Sequence, residues 1–236
     1  MKRLIVLMSL LLVMFSSVSL AEVNDSVLLL LRLDEGKGNV VKDISKYKND
    51  GMIIGGNWTD GKSGKAIRFN KSTDRIEVVN TGTFDFGQEI NFTIEFWLKV
   101  GSTSERKFNY LFSTRGYPTG AQNPGISIGL TNGFAINVTL ADGRNRVDLV
   151  SDKYWLNDNK WHHIVVIADR KGKGSLYIDG KCTAEKDISE IGDINNISFP
   201  LQFGGDSTNK GEIDISIDEI RIDNCVRNDD LFLLKN

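Results

Sequence analysis

The sequence predicts an all-β protein, built as an antiparallel two-sheet sandwich or jelly roll. Apolar residues repeat with a period of two at 94–99 and again at 213–218, where they alternate with charged or polar residues. This period places alternate side chains on opposite faces of a strand. Glycine-containing turn pairs separate the apolar runs, and no long stretch carries the spacing of a helix. Many short strands with regular turns are typical of sandwiches and jelly rolls.

The strands follow one another without a break in composition. The first candidate, 27–33, is almost entirely apolar, as expected for a strand covered on both faces. Asp179-Gly180 directly follows an apolar run and is the clearest hairpin signal, because this pair supplies the positive φ angles of a tight turn. The last clear strand is 217–222. Since proline is scarce and no linker interrupts the pattern, we expect one domain at 22–236.

The first 21 residues have the features of a secretory signal peptide. Two basic residues precede an apolar run at 4–15, and Ser19 and Ala21 supply the small residues of a cleavage site. The run is shorter than the roughly 20 residues that span a bilayer. We therefore expect cleavage after Ala21 and secretion, with an uncleaved N-terminal anchor as the alternative.

Charge and hydropathy exclude two classes of partner. The formal net charge is −2, and acidic and basic residues are mixed along the chain without a basic stripe. Nucleic acid is therefore not an expected partner. No second apolar run reaches spanning length, so we expect no membrane insertion by the mature chain.

The two cysteines, Cys182 and Cys225, both lie in the part expected to be exported. An even number of cysteines outside the cell permits one disulfide, which would close a loop of about 40 residues. Two buried thiols are the equal alternative, because pairing requires Cα atoms within about 7 Å.

A series of short motifs resembles the laminin-G-like jelly-roll branch of the concanavalin-A-like lectin and glucanase superfamily. In chain order the motifs are LDEGKG at 33–38, DIS at 43–45, NDG at 49–51, WTDGKSGKAIRF at 58–69, FTIEFWL at 92–98, KWHHI at 160–164, LYIDG at 176–180 and IDEIRI at 217–222. The resemblance covers nearly the whole mature chain and implies two stacked antiparallel sheets, one of them concave. It does not fix the function, since this fold carries lectins, adhesive modules, enzymes and spacers.

The resemblance also implies a structural calcium ion. In similar proteins such an ion ties the first strand to the last, and its ligands carried over to this chain are Glu35, Asp43, Gly51 and Asp218. Calcium prefers six to eight oxygen ligands of this kind. The alternative is that Asp43 caps a turn and Asp218 pairs with an arginine.

The sequence lacks a complete set of the catalytic residues that hydrolytic enzymes use. His162 and His163 are adjacent on a predicted strand, so their side chains face opposite ways and cannot act as a pair. Glu212 and Asp214 begin the carboxylate pattern of related glucanases, but the third carboxylate is missing. We therefore expect a protein that is not an enzyme. A glycoside hydrolase or polysaccharide lyase on the same sandwich is the alternative.

The candidate ligand site combines the concave sheet face with its surrounding loops. Glu95 and Trp97 share a face by the period-two rule, and Tyr117 and Trp155 lie in or near loops at its rim. A carboxylate beside an indole suits a sugar, which hydrogen-bonds to one and stacks on the other. We therefore predict a binding module for carbohydrate or a glycosylated surface, with a structural or adhesive protein-interaction module as a further alternative. In the competing interpretation Trp97 packs beneath a loop and Glu95 pairs with an arginine such as Arg115.

Overall fold

The computed structural model describes residues 25–101, 108–115, 123–152, 155–205 and 212–227. Within these ranges the chain forms sixteen β-strands and no helix, as the alternating pattern predicts. The described part therefore also holds no helix long and apolar enough to cross a membrane. The expected signal peptide and Tyr117 lie outside the described residues.

The strands are numbered in chain order. They are β1 Val27–Leu31, β2 Val40–Val41, β3 Gly51–Ile54, β4 Asn57–Asp60, β5 Lys65–Lys71, β6 Arg75–Val78, β7 Phe92–Val100, β8 Asn109–Ser113, β9 Gly125–Leu130, β10 Ile136–Ala141, β11 Arg146–Val150, β12 Trp161–Ala168, β13 Lys173–Ile178, β14 Lys181–Asp187, β15 Leu201–Gly204 and β16 Glu212–Asp223.

Two eight-stranded antiparallel sheets stack to form the sandwich. Sheet 1 has the order β14-β13-β12-β7-β16-β5-β4, and β1 pairs with β16 beside β5. Sheet 2 has the order β11-β10-β9-β8-β15-β6-β3-β2. Runs of consecutive strands at the edges of each sheet join central strands that are distant in sequence, which is the connectivity of a jelly roll rather than of a simple meander. The predicted fold class is confirmed.

The long last strand, β16, lies near the middle of sheet 1. It pairs with β7 on one side, and with β5 and then β1 on the other. Its register with β7 shifts between Asp218 and Arg221, and Glu219 has a φ of 49°. The apolar runs at 213–217 and 217–222 are thus one strand interrupted by a bulge, which places an extra residue opposite β7 and re-aims the side chains that follow.

The core lies between the two sheets. Ile94, Phe96 and Leu98 of β7 are fully buried and point inward, as their period of two predicts. On the facing side, the rings of Phe112 and Phe203 from sheet 2 pack with their centroids 5.0 Å apart. Apolar burial of this kind is the main favourable contribution to folding.

The sharpest predicted turn is confirmed. Asp179 and Gly180 form a two-residue connection between β13 and β14, with φ angles of 52° and 76°. Two consecutive positive φ angles are the geometry of a type I′ hairpin, whose twist matches that of the strands it joins.

The two cysteines do not form a disulfide. Cys182 is exposed on β14, at the edge of sheet 1. The carbonyl of Cys225 accepts a hydrogen bond from the Thr93 hydroxyl on β7, 2.8 Å away. Since β14 and β7 are three strand spacings apart, about 14 Å, the disulfide that the cysteine count permitted is wrong for this arrangement.

Candidate ligand-binding surface

The surface of interest is the outer face of sheet 1, the side turned away from the core. On β7 the inward residues alternate with Thr93, Glu95, Trp97 and Lys99, which therefore point outward. On β12 the corresponding outward residues begin at Trp161 and continue through His163 and Val165, because they lie opposite the outward residues of β7.

Two tryptophans are neighbours on this outer face. Trp161 lies directly opposite Lys99, and His163 lies directly opposite Trp97. The two indoles are therefore diagonal neighbours on adjacent strands, within reach of each other for side chains of this size. Trp97 is 8% exposed and its ring packs against that of His163, with centroids 5.0 Å apart, whereas Trp161 is half-buried.

Each of these tryptophans carries a lysine over its ring. The Lys62 ammonium nitrogen is 4.7 Å from the Trp97 ring centroid, and that of Lys99 is 4.9 Å from the centroid of Trp161. Within the described part of the chain, neither ammonium group has a carboxylate at salt-bridge distance. The outer face thus carries one half-buried and one nearly covered indole ring, each with a lysine ammonium group over it.

A buried aspartate holds the loop that carries Lys62. One oxygen of Asp218 accepts hydrogen bonds from the backbone N–H groups of Lys62, at 2.8 Å, and Ser63, at 3.1 Å. The other oxygen accepts from the backbone N–H of Glu219, at 2.8 Å. Burial raises the pKa of Asp218 to about 7, because desolvation disfavours its charged form. The loop connecting β4 to β5 is thereby fixed to the last strand.

Glu95 lies in a buried ionic cluster. Its side chain is 0% exposed, and one oxygen is 3.1 Å from Nε2 of His163. The other oxygen contacts the guanidinium of Arg227 and lies 3.9 Å from Nε of Arg221. The structure therefore favours the interpretation in which arginine pairs with Glu95. The partner is not Arg115, because that residue follows β8 on sheet 2.

The two histidines have separate environments. Burial lowers the pKa of His163 to about 4, so the ring is neutral near pH 7 and donates its Nε2–H to Glu95. The hydrogen bond from His162 to Asp179, at 2.8 Å, together with a contact to Asp158 at 3.1 Å, raises the pKa of His162. The two rings therefore have different hydrogen-bond partners, as expected for adjacent residues whose side chains face opposite ways on a strand.

Three of the four residues expected to bind calcium use their carboxylates as hydrogen-bond acceptors within the protein. The buried Asp43 carboxylate already accepts hydrogen bonds from the backbone N–H groups of Leu30, Ser45 and Asn49 and from the Ser45 hydroxyl. Three N–H groups likewise occupy the Asp218 oxygens described above. Among the described residues, no group of three or more histidine, cysteine, aspartate or glutamate side chains is placed to hold a metal ion.

The other two residues expected to bind calcium, Glu35 and Gly51, lie in different parts of the structure. Glu35 accepts a hydrogen bond from the backbone N–H of Lys42 at 2.7 Å, and Gly51 begins β3 in sheet 2. Glu35, Asp43 and Asp218 thus accept hydrogen bonds from backbone N–H groups. Asp43 caps a turn, as its alternative role expects, and Asp218 binds backbone N–H groups instead of an arginine. The calcium ion itself stays a prediction.

The remaining predicted ligand residue is Trp155. It is the most exposed of the four tryptophans, at 61%, and lies on the connection that leads into β12. The sequence interpretation missed Trp161, although the signal was present: Trp161 and His163 of the KWHHI motif, and Val165 directly after it, are spaced with a period of two. That pattern alone does not reveal which strand lies beside them.

The carboxylates that resemble a glucanase pattern do not form a pair in the described part. Asp214 lies on the outer side of β16, where its carboxylate accepts a hydrogen bond from Nε of Arg68 at 2.9 Å. The side chain of Glu212 is not among those described. Asp214 therefore forms an ion pair with Arg68 on the face of the strand, as a surface carboxylate commonly does.

Comparison with known proteins places the chain in a recognisable group. The Laminin_G_3 family model, described as the Concanavalin A-like lectin/glucanases superfamily, matches residues 70–230. The chain is 25% identical over 198 residues to the Botulinum-like toxin eBoNT/J of Enterococcus sp. (strain 3G1_DIV0629), which aligns 78% of this chain with 15% of the toxin. It is 24% identical over 212 residues to Paraclostridial mosquitocidal protein 1 of Paraclostridium bifermentans, which aligns 85% of this chain with 16% of that protein. The chain thus spans a small part of these relatives.

Solved structures share the fold. The binding domain of Paraclostridial Mosquitocidal Protein 1 aligns with a TM-score of 0.73 and 23% identity, over 87% of this chain and 50% of that one. The ligand binding domain of Botulinum neurotoxin serotype D, in complex with N-acetylneuraminic acid, aligns with a TM-score of 0.69 and 21% identity, over 89% of this chain and 50% of that one. The sandwich thus corresponds to half of each of these binding domains.

Proposed function

Since this chain belongs to the Concanavalin A-like lectin/glucanases superfamily, we propose that it is a non-catalytic module that binds carbohydrate on the outer face of sheet 1. The observation that carries the proposal is the placement of Trp97 and Trp161 as neighbours on that face, each beside a lysine. The face lies on the central strands of a rigid sheet, which holds the side chains at fixed separations.

The chemistry of the two indoles suits a sugar ring. A large flat aromatic surface offers dispersion contacts to the apolar C–H face of a pyranose. Ammonium groups at the edge of that surface donate hydrogen bonds to hydroxyl or carboxylate oxygens. Trp161 is the better platform because it is half-buried, whereas Trp97 is nearly covered and supports the surface from beneath. Carbohydrate binding is further supported by the similar neurotoxin domain whose structure holds N-acetylneuraminic acid.

Catalysis is not supported by the described side chains. A retaining glycosidase needs two carboxyl groups about 5 Å apart, flanking the scissile bond. On the outer face Glu95 is buried in an ionic cluster, and Asp214 pairs with Arg68. Each histidine ring is hydrogen-bonded to a carboxylate, His162 to Asp179 and His163 to Glu95.

We further infer that the protein acts outside the cell. The support is the leader-like composition of the first 21 residues, with a short apolar run between a basic start and small residues. Mass spectrometry of protein recovered from the medium of expressing cells tests this inference, and a mature chain beginning at Glu22 is expected. Retention of the intact N-terminus in the cell pellet would contradict it.

A glycan-array screen of the purified mature chain tests the proposed function. We expect binding to a restricted set of glycans, and each bound glycan is then incubated with the protein and analysed for cleavage products. Binding without product supports a non-catalytic module. Cleavage of a bound glycan would contradict the non-catalytic part, and an array without any binding would contradict carbohydrate recognition.

A further inference from the structure

We propose that the outer face of sheet 1 takes an extended acidic saccharide, laid across the strands from β4 to β12. This inference rests on the proposed carbohydrate-binding function and names the class of ligand. Its two parts, the extended shape and the acidic character, follow from separate observations.

The extended shape follows from one straight row of residues across five strands. Backbone pairing joins Asn57 to Arg68, Arg68 to Ser216, Ser216 to Lys99 and Lys99 to Trp161. These are the five members of what we call the transverse row. Since neighbouring strands lie about 4.8 Å apart, the row is about 19 Å long. A surface of this length exceeds a single pyranose ring and matches a chain of several.

The members of the row differ in exposure. Asn57 and Arg68 are exposed at one end, and Trp161 is half-buried at the other. Between them Ser216 is small and only 2% exposed, and the longer Lys99 side chain is half-buried. Polar groups at intervals along a flat track, ending on an aromatic ring, suit contacts with successive sugars of one chain.

The acidic character follows from the two lysines of the surface. Lys62 and Lys99 have no carboxylate at salt-bridge distance within the described residues. By contrast, Lys65 pairs with Asp60 at 2.8 Å, and a similar pairing occupies Lys173 on β13. The Lys62 and Lys99 ammonium groups, each of which contacts a tryptophan ring, are therefore available to a negatively charged ligand.

The nearby carboxylates have other partners. Asp214 is engaged by Arg68, and Asp218 by the backbone N–H groups of Lys62 and Ser63. Asp60, which interacts electrostatically with Lys99, is paired with Lys65 at 2.8 Å. An exposed cation–π contact is weak. A uronate carboxylate can therefore draw the Lys99 ammonium group from the Trp161 ring, after which that ring is open for stacking.

Isothermal titration with galacturonate oligosaccharides tests the inference. The disaccharide and hexasaccharide are compared with neutral cello-oligosaccharides of the same lengths, at low and at physiological ionic strength. We expect the acidic hexasaccharide to bind at least about tenfold more tightly than the acidic disaccharide. Its affinity should fall as salt rises, because exposed charges are screened.

Three variants separate the parts of the proposal. Lys62→Gln/Lys99→Gln should weaken binding of the acidic hexasaccharide by about tenfold or more, and by a larger factor than it weakens binding of the neutral hexasaccharide. Arg68→Gln should weaken the hexasaccharide but not the disaccharide, because Arg68 lies toward the far end of the row from Trp161. Lys173→Gln, on β13 and paired with Glu185, is the matched control and should change neither affinity. Thermal melts verify that each variant is folded.

The outcomes distinguish this inference from the function on which it rests. Binding of neutral glycans in preference to acidic ones, or equal affinity for short and long chains, overturns the inference while the proposed function stands. Unchanged acidic binding in a folded lysine double variant also overturns it. Failure to bind every glycan tested would overturn both.

Discussion

Lys99 lies directly opposite Trp161 across β7 and β12, with its ammonium nitrogen 4.9 Å from the centre of the indole ring. The two residues are far apart in sequence, and the contact exists because β12 returns antiparallel to β7 in the middle of sheet 1. Lys62 and Trp97 form a second contact of this kind beside them. The outer face of sheet 1 therefore has both apolar and cationic side chains.

Glu95→Gln should strongly destabilise the protein. The substitution removes the charge that balances Arg227 in a fully buried cluster, and breaking one partner of such a cluster typically costs about 3–5 kcal/mol. Urea denaturation measures the change. Asp214→Asn is the control, because its pair with Arg68 is partly exposed and should contribute at most about 1 kcal/mol. Equal effects of the two substitutions would contradict the burial of Glu95.

Trp97→Ala should also destabilise the fold, because the side chain is 8% exposed and packs against His163. Truncation of a large buried aromatic typically costs about 3–5 kcal/mol. Calorimetric melts measure this loss. A stable Trp97→Ala variant that has lost all glycan binding would instead identify Trp97, and not Trp161, as the main platform.

His163 should make stability depend on pH in the acidic range. Its folded pKa of about 4 lies below the ordinary value of 6.5, so the unfolded chain takes up the proton first as the pH falls. The stabilising contribution is therefore complete above pH 6.5 and is lost as the pH falls toward 4. His163→Gln should flatten this part of the stability profile, measured as the urea midpoint against pH.

His162 provides a control of opposite sign. Its pKa is raised by Asp179 and Asp158, so its contribution is present below pH 6.5 and is lost as the pH rises through the folded pKa. His162→Gln should therefore remove stability selectively at low pH. The same pH dependence in both histidine variants would contradict the assigned environments.

Asp43→Ala should lower the melting temperature equally in calcium and in EDTA. Its carboxylate accepts four hydrogen bonds from protein donors, and loss of acceptors for buried donors is destabilising by about 1–3 kcal/mol each. Differential scanning fluorimetry makes the comparison, with the exposed Asp60→Ala as control. A wild-type melting temperature that drops in EDTA to that of Asp43→Ala would show instead that this residue binds calcium.

Both cysteines should react with iodoacetamide in the denatured, unreduced protein. Cys182 and Cys225 are not bonded to each other in the structure. Mass spectrometry should then find two carbamidomethyl groups per chain. A chain that reacts only after reduction would mean that the disulfide permitted by the sequence does form.

Short sequence patterns predicted the features that depend on neighbouring residues in the chain, namely the buried side of a strand and a tight turn. The alternation at 94–99 identified which side of β7 is buried, and Asp179-Gly180 identified a hairpin. Contacts between distant strands were not predictable in this way. Glu95 is covered by Arg221 and Arg227 from the far end of the chain, and no local pattern reveals that pairing. The bulge at Glu219 likewise depends on the strands on both sides of β16.

The central claim, that carbohydrate binds the outer face of sheet 1 through Trp161, is tested most directly by glycan affinity of Trp161→Ala. The control is Tyr47→Ala, which removes an exposed aromatic ring from the connection between β2 and β3. Both variants should keep a melting temperature close to that of the wild type, because neither ring is fully buried. The account predicts that Trp161→Ala loses binding to every glycan that the wild type recognises, while Tyr47→Ala retains it. A folded Trp161→Ala variant with wild-type affinity would contradict the account.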